Sequence, residues 1–343
     1  MTSDLARQGQ FRQERRGEQD DGRDRPRRAA ARRGRSRRFS RRDILIVLAM
    51  LAIPVLADLA FIWGPAVVSV ALSLFQWSGV GSLHARSCIP GGLFPDNGCF
   101  AGWQNYHEAA TNYPPFWPAV EHNLIWLGVF VLIATPLGML FAVLIDSGLR
   151  GSRVYQTVLF LPVMLSLALI GIIWEFVYSP NYGLINTVIG RAGNSNLIDW
   201  LGDPRLNLWS VLLEASWRQA GYVMVLYLAG LKAVDPTLRE AARVDGASAW
   251  RTFWRVTFPS MMPMNVVVAV ITVIESLRAF DLVYITNQGT NGLELLSALI
   301  TSNIVGETSR IGFGSALGVV LLVISLVPIT VFLRQMFLRK ETR

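Results

Sequence analysis

Charge is the scarcest ingredient of this 343-residue chain: 16% of its residues are charged and 52% are apolar. Soluble domains carry about a quarter charged residues, so this composition is unusual for a soluble domain of this length. Lysine is almost missing, Lys232 and Lys340 being the whole complement, and no G-x-x-x-x-G-K-S/T run occurs. The chain therefore cannot build a P-loop nucleotide site, whose lysine reaches the phosphates from a glycine-rich loop. Histidine is equally sparse. His84, His107 and His122 stand at spacings that match no metal motif, so no metal site is expected. No nucleophile elbow and no catalytic carboxylate pair occurs either, and the chain is not expected to be an enzyme.

What the chain has in quantity is apolar sequence in long blocks. A helix needs about 20 residues to cross a hydrocarbon core. Six blocks serve: Ile44 to Phe75, Val120 to Ile145, Val154 to Tyr178, Leu206 to Leu231, Met264 to Thr286 and Phe313 to Phe337. They are continuous rather than alternating, which favours helices over a barrel. The expected fold is an all-α integral membrane protein of about six transmembrane helices. The first block is too long for one upright span, so it should tilt, break near Pro54 or Pro65, or continue outside the bilayer.

The charges that do occur are unevenly placed. Residues 1–42 hold about fifteen arginines and no apolar block, which reads as a disordered cytoplasmic tail ahead of a membrane domain over 43–343. The tail lacks interleaved aromatics and carries acidic residues too, so no nucleic-acid partner is expected. With the N-terminus inside, Arg150, Arg153, Lys232, Arg239, Arg243, Arg251, Arg255, Arg334, Arg339, Lys340 and Arg343 all fall inside. The outer loops keep Arg86, Arg191, Arg205 and Arg310, a bias that places both termini in the cytoplasm. Loops 76–118 and 179–205 are then external, and 76–118 shows no sustained helical period. Cys88 and Cys99 share that first loop, in an oxidising compartment where a disulfide or two inert thiols both fit.

The loop 232–263 is the informative segment, and it reads as two short helices at an angle. Asp235 can cap the first, with Pro236 in its first turn, where a missing amide hydrogen costs nothing. Gly246 can end it in the left-handed conformation, and Ser248 can cap a second helix running to Pro259. Leu238, Ala241, Ala242, Ala247, Phe253 and Trp254 would supply apolar faces, Ala241 and Ala242 a close-approach patch, and the arginines would stay wet. Composition alone also fits an amphipathic loop lying on lipid headgroups.

The run Glu240-Ala241-Ala242, then Asp245-Gly246-Ala247, then Phe253, Pro259 and Pro263 resembles the EAA loop of binding-protein-dependent ABC importer permeases. Gly102-Trp103-Gln104-Asn105-Tyr106, Tyr182-Gly183-Leu184-Ile185-Asn186, Trp200-Leu201-Gly202-Asp203-Pro204, Tyr227-Leu228-Ala229-Gly230-Leu231 and Phe280-Asp281 are similar to the carbohydrate-uptake branch of that family. The chain departs from the branch's Thr-x-Gly-Gly-Pro-like turn, carrying Thr286-Asn287-Gln288-Gly289-Thr290-Asn291-Gly292 instead. The resemblance implies the type I permease arrangement, in a bacterial inner membrane. It implies that Glu240, Ala241, Ala242, Asp245, Gly246, Ala247, Phe253 and Pro259 dock a cytoplasmic ABC ATPase dimer, which binds ATP and Mg, so that this chain needs no cofactor. It further implies a second permease subunit, expected to be a paralogue, and an extracytoplasmic binding protein that delivers a sugar or oligosaccharide for alternating access.

Charged residues inside spans usually face a wet cavity or each other. Glu214, Trp217 and Arg218 lie half-way along the fourth block, and Glu275, Arg278 and Asp281 are spaced to share one helix face on the fifth. They are the candidate lining of a solute path, with Trp217 offering a flat face to a sugar ring; an internal ion-pair network is the plainer reading. Asp58 in the first block is equally ambiguous. Two rivals remain at this stage. An ion-gradient transporter fits six spans but gives the EAA-like loop no task. A permease for an anion such as glycerol phosphate would use Arg218 and Arg278.

Overall fold

The computed structural model describes residues 41–84, 86–88, 97–193, 196–306 and 309–341. Of the arginine-rich tail 1–42, residues 1–40 lie outside them. The chain divides into a unit ending at Leu59 and a unit from Ala60 onward. The first contains α1 (Arg41–Asp58), which carries Pro54 inside it, and its side chains from Leu45 to Leu59 are exposed.

The second unit is helical apart from one strand pair. α2 (Gly64–Leu72) is followed by β1 (Phe75–Gln76) and β2 (Cys99–Phe100), which pair antiparallel. Then come α3 (Gln104–Thr111), α4 (Phe116–Val129), α5 (Thr135–Asp146), α6 (Ser152–Met164), α7 (Leu167–Tyr178) and α8 (Leu184–Val188). α9 (Asn207–Ala233) leads into α10 (Pro236–Val244), α11 (Ala249–Thr252) and α12 (Phe258–Ser260). α13 (Met262–Leu277), α14 (Asp281–Asn287), α15 (Leu296–Val305) and α16 (Ile311–Glu341) complete the chain.

Among the described residues three helical runs are long and apolar enough to cross a membrane: Leu45–Leu72, Phe116–Asp146 and Ile311–Val331. A fourth arises if α6 and α7, bent by 104°, form one span. The bend divides the third apolar block, Val154 to Tyr178, into two helices. Leu165 is extended, and Ser166 caps a new helix by accepting the Leu169 amide. α9 has 27 residues, about 40 Å at 1.5 Å per residue, but it carries Glu214, Arg218 and Lys232. The fifth block breaks after Leu277, leaving α13 with 16 residues.

Prolines set much of the local geometry. π-type turns occupy Leu59–Trp63, Phe130–Ala134 and Phe253–Thr257. Each ends two residues before a proline: Pro65, Pro136 and Pro259 respectively. A proline gives no N–H to the carbonyl four residues back, and its ring collides with it. Widening the preceding turn lets the helix continue. The second loop helix therefore bulges ahead of Pro259 and carries on to Ser260, where it was expected to stop at the proline.

The described residues of 76–118 are more ordered than the composition of that stretch suggests. Cys88 and Cys99 are joined by a disulfide, their Cα atoms 5.2 Å apart. Asn105, from the Gly-Trp-Gln-Asn-Tyr run, donates to the carbonyls of Ser73 and Phe75 at 2.8 and 2.9 Å, just beyond α2. The Tyr106 hydroxyl lies 2.7 Å from that of Ser73. α3 is tied to the residue just before α16 by Arg310–Glu108 at 2.6 Å, with the Arg310 guanidinium 4.3 Å above the Phe313 ring. That motif thus ties off the end of α2. The atypical turn after α14 keeps positive φ at Gln288, Gly289, Asn291 and Gly292. Asn291 donates to the Gly202 carbonyl and Asn207 donates to the Asn291 carbonyl, so the turn docks on the segment that leads into α9.

Candidate functional site

The loop between α9 and α13 is built by three local devices. The Asp235 carboxylate accepts the Thr237 amide at 2.9 Å and caps α10. Hydrogen bonds from the Thr237 backbone and side chain hold that carboxyl below its usual range. At the other end the Gly246 amide donates to the Arg243 carbonyl and the Ala247 amide to the Ala242 carbonyl, both at 3.0 Å. This is the paired closure of a Schellman motif, and it places Gly246 at φ +75°. Ser248 then caps α11 by accepting the Arg251 amide at 3.4 Å.

These devices decide which side chains face out. Glu240, Ala241, Val244, Asp245 and Gly246 are exposed, Val244 at 88% and Trp250 at 74%. Ala242 is buried, where α10 meets the Phe253–Thr257 turn. The expected Ala241–Ala242 patch is therefore split: Ala241 can meet another surface, while Ala242 faces into the loop. Ala247, Phe253 and Pro259 are half-buried, and Phe253 packs edge-on to Trp254 at 5.2 Å. The arginines were expected to stay wet, and Arg239 does not. Its guanidinium reaches Asp146 at the end of α5 and the Leu231 carbonyl near the end of α9. Those two groups belong to parts of the chain that a local pattern cannot connect.

The candidate solute path is only partly assembled as expected. A cavity of about 50 Å³, space for a few waters, is lined by Arg218, Glu275, Arg278 and Asp281 together with Trp126, Phe130 and Phe280. Arg218 faces Glu275 at 3.7 Å. Glu275, Arg278 and Asp281 do not share one helix face. Helix α13 ends at Leu277, Arg278 adopts φ −88° and ψ 7°, and Asp281 opens α14. The Ala279 carbonyl freed by the break accepts the Ser297 hydroxyl at 2.6 Å, so a tertiary partner replaces the helical one. The three side chains meet around the break instead.

Glu214 and Trp217 are not among the lining residues. Glu214 is 2% exposed, with Oε1 unpartnered. Trp217 packs edge-on against Trp174, ring centroids 5.9 Å apart. The aromatic surface of the cavity comes from Trp126, Phe130 and Phe280, none of which the charge pattern singled out. Phe280 stacks on Tyr284 at 4.9 Å. A second, larger hollow of about 460 Å³ lies between α13, α15 and α16, and Arg278 and Phe280 line both.

Comparison with known proteins covers most of this architecture. The family of binding-protein-dependent transport system inner membrane components matches residues 134–342, which include the loop and the cavity-bearing helices except α4. The chain is 30% identical over 286 residues to the probable ABC transporter permease protein YurN of Bacillus subtilis, covering 82% of this chain and 92% of that one. It is 31% identical over 267 residues to the xylose/arabinose import permease protein XacH of Haloferax volcanii, covering 77% and 83%. Its fold resembles a chain of a bacterial alginate ABC transporter solved in complex with an alginate pentasaccharide-bound periplasmic protein. That likeness has a TM-score of 0.69 at 22% identity over 85% of this chain and 93% of that one. Motif, fold and relatives agree: the chain belongs to the family of inner membrane components of binding-protein-dependent transport systems, as an ABC importer permease.

Proposed function

We propose that this permease imports a sugar or oligosaccharide, and that its α10–α11 loop docks a cytoplasmic ATPase which binds and hydrolyses ATP with Mg. The observation that carries the reading is the outward face of α10: Glu240, Ala241, Asp245 and Gly246, held rigid by a cap at one end and a Schellman turn at the other. A solvated loop has no need of so fixed a shape. The sugar follows from the likeness to the xylose/arabinose permease and from the cavity, whose two guanidiniums are matched by two carboxylates. That balance favours a neutral solute over an anion such as glycerol phosphate. At about 50 Å³ the cavity admits no sugar ring in this conformation, so the break at Arg278 has to open during transport. Both termini face the cytoplasm, a paralogous permease completes the pair, and an extracytoplasmic binding protein delivers the solute.

The test is purification from the native host in mild detergent, with the co-purifying proteins identified by mass spectrometry. A P-loop ATPase and a second permease are the expected companions. Recovery of this chain alone, while a control complex survives the same detergent, would overturn the reading in favour of a gradient-driven transporter.

The cavity makes a second prediction. Phe280→Ala should raise the sugar concentration for half-maximal uptake about two- to tenfold, the range of one aromatic contact. Trp217→Ala should leave it unchanged, since Trp217 packs on Trp174. The opposite ordering would return Trp217 to the solute path.

A further inference from the structure

We propose that Arg239 is a positioning residue, the tie through which movement of the coupling loop is delivered to α5 and α9 together. The inference rests on the coupling reading above and goes beyond it by naming the residue that transmits the movement.

Four arginines lie in the α10–α12 segment, and Arg243, Arg251 and Arg255 are exposed. Arg239 differs from all of them. Its side chain is 26% exposed and that of its partner Asp146 is 18% exposed. Nη1 donates to Asp146 Oδ2 at 2.8 Å, and Nη2 donates to the Leu231 carbonyl at 2.7 Å. Nε is buried without a partner, so the guanidinium commits its hydrogen bonding to those two contacts. Among the described residues this is the only polar tie from α10 to either helix.

Both acceptors favour a cationic donor. Asp146 is the last residue of α5, where the helix dipole already disfavours a negative charge. The Leu231 carbonyl is one of the last four of α9 and lacks an intrahelical donor. A planar guanidinium can serve both at once from one rigid fork, whereas an ammonium presents a single point. Glu240 and Ala241, the next two residues, are exposed. One short helix thus offers a face to a partner and, one residue earlier, grips two long helices. Force on the outer face has a short, stiff route inward.

The test uses the complex with its co-purified ATPase. Cys88 and Cys99 are consumed in a disulfide, so an Ala279→Cys reporter in the cavity wall is the one reactive thiol of this chain, and its labelling by a water-soluble maleimide is read on this chain's band with and without Mg-ATP. With Arg239 intact, Mg-ATP should change the labelling rate about fivefold or more, the low end of ordinary coupling. Arg239→Gln should abolish that response while the ATPase still co-purifies. Asp146→Asn should weaken it, and the double variant should be no worse than Arg239→Gln alone. Arg239→Lys, keeping the charge with one contact, should fall between. A full response in Arg239→Gln, or additive effects of the two substitutions, would overturn the tie and leave the coupling reading standing. No response with Arg239 intact would overturn the coupling reading itself.

Discussion

Replacing Gly246 with valine should leave the protein in the membrane and abolish ATP-coupled uptake. At φ +75° the residue sits in the left-handed region, which costs an ordinary L-residue about 1–2 kcal/mol and is a true outlier for a β-branched one. A Cβ added there meets nothing within 4 Å, so the penalty is conformational rather than steric. It falls on the turn that joins α10 to α11, whose two closing hydrogen bonds use the Gly246 and Ala247 amides. The spans pack elsewhere and should survive; the docking face should be reoriented. Gly246→Asn separates the causes, because asparagine tolerates the left-handed region while still adding a side chain. Uptake should be substantially retained with asparagine and lost with valine, at equal amounts in the membrane fraction. Wild-type uptake in the valine variant would remove the turn from the mechanism. Equal loss in both variants would mean that a partner surface lies against Gly246 and leaves no room for any side chain.

Legibility in the sequence followed the range of each interaction. Asp235, Pro236, Gly246 and Ser248 act on backbone groups within a few residues of themselves, so their roles could be read from the string and appear in the structure as caps and a turn. Arg239 could not be read, since its partner Asp146 is 93 residues away and nothing in the loop marks one arginine as different. Ala241 and Ala242 show the same limit at closer range. Helical spacing says they diverge, but which one faces inward is set by the turn ahead of Pro259 packing back on α10.

The cavity was legible in its charges and illegible in its shape. Glu275, Arg278, Asp281 and Arg218 were found because ionisable groups in apolar blocks are conspicuous. The break that brings them together carries neither proline nor glycine between Leu277 and Asp281. It is supported from outside by the Ser297 hydroxyl, and local propensity is silent about such support. Trp126 and Phe130 were hidden by the abundance of aromatic residues in membrane helices, where only position distinguishes a cavity wall from packing.

Gly221→Ala should destabilise the protein markedly, although it adds one methyl group to a helix. A Cβ on Gly221 would fall onto the carbonyl oxygen of Leu159 in α6 and lie 3.3 Å from Val163 Cγ2. A Cβ on Gly138 in α5 would lie 2.6 Å from the Ala220 carbonyl oxygen and 2.8 Å from Val223 Cβ. α9 is therefore seated on α5 and α6 through glycines at adjoining positions, the small-residue contact by which membrane helices approach closely. The atom struck at Gly221 is backbone, held by its own helix, and it cannot swing aside as a side chain would. Overpacking of this kind costs about 1–3 kcal/mol and sometimes more. The loss falls on the packing of α9, the helix that leads into the α10–α11 loop. Gly128 in α4 is the control, because a Cβ there meets nothing within 4 Å. Gly128→Ala should then be neutral or raise stability by the helical preference of alanine, about 0.5–1 kcal/mol. Thermal unfolding in detergent, followed by fluorescence-detected size exclusion, should show Gly221→Ala melting far below the parent and Gly128→Ala at or above it. Equal melting of the two variants would mean that α9 and α6 do not touch as described, and with that the seat of the α10–α11 loop would have to be redrawn.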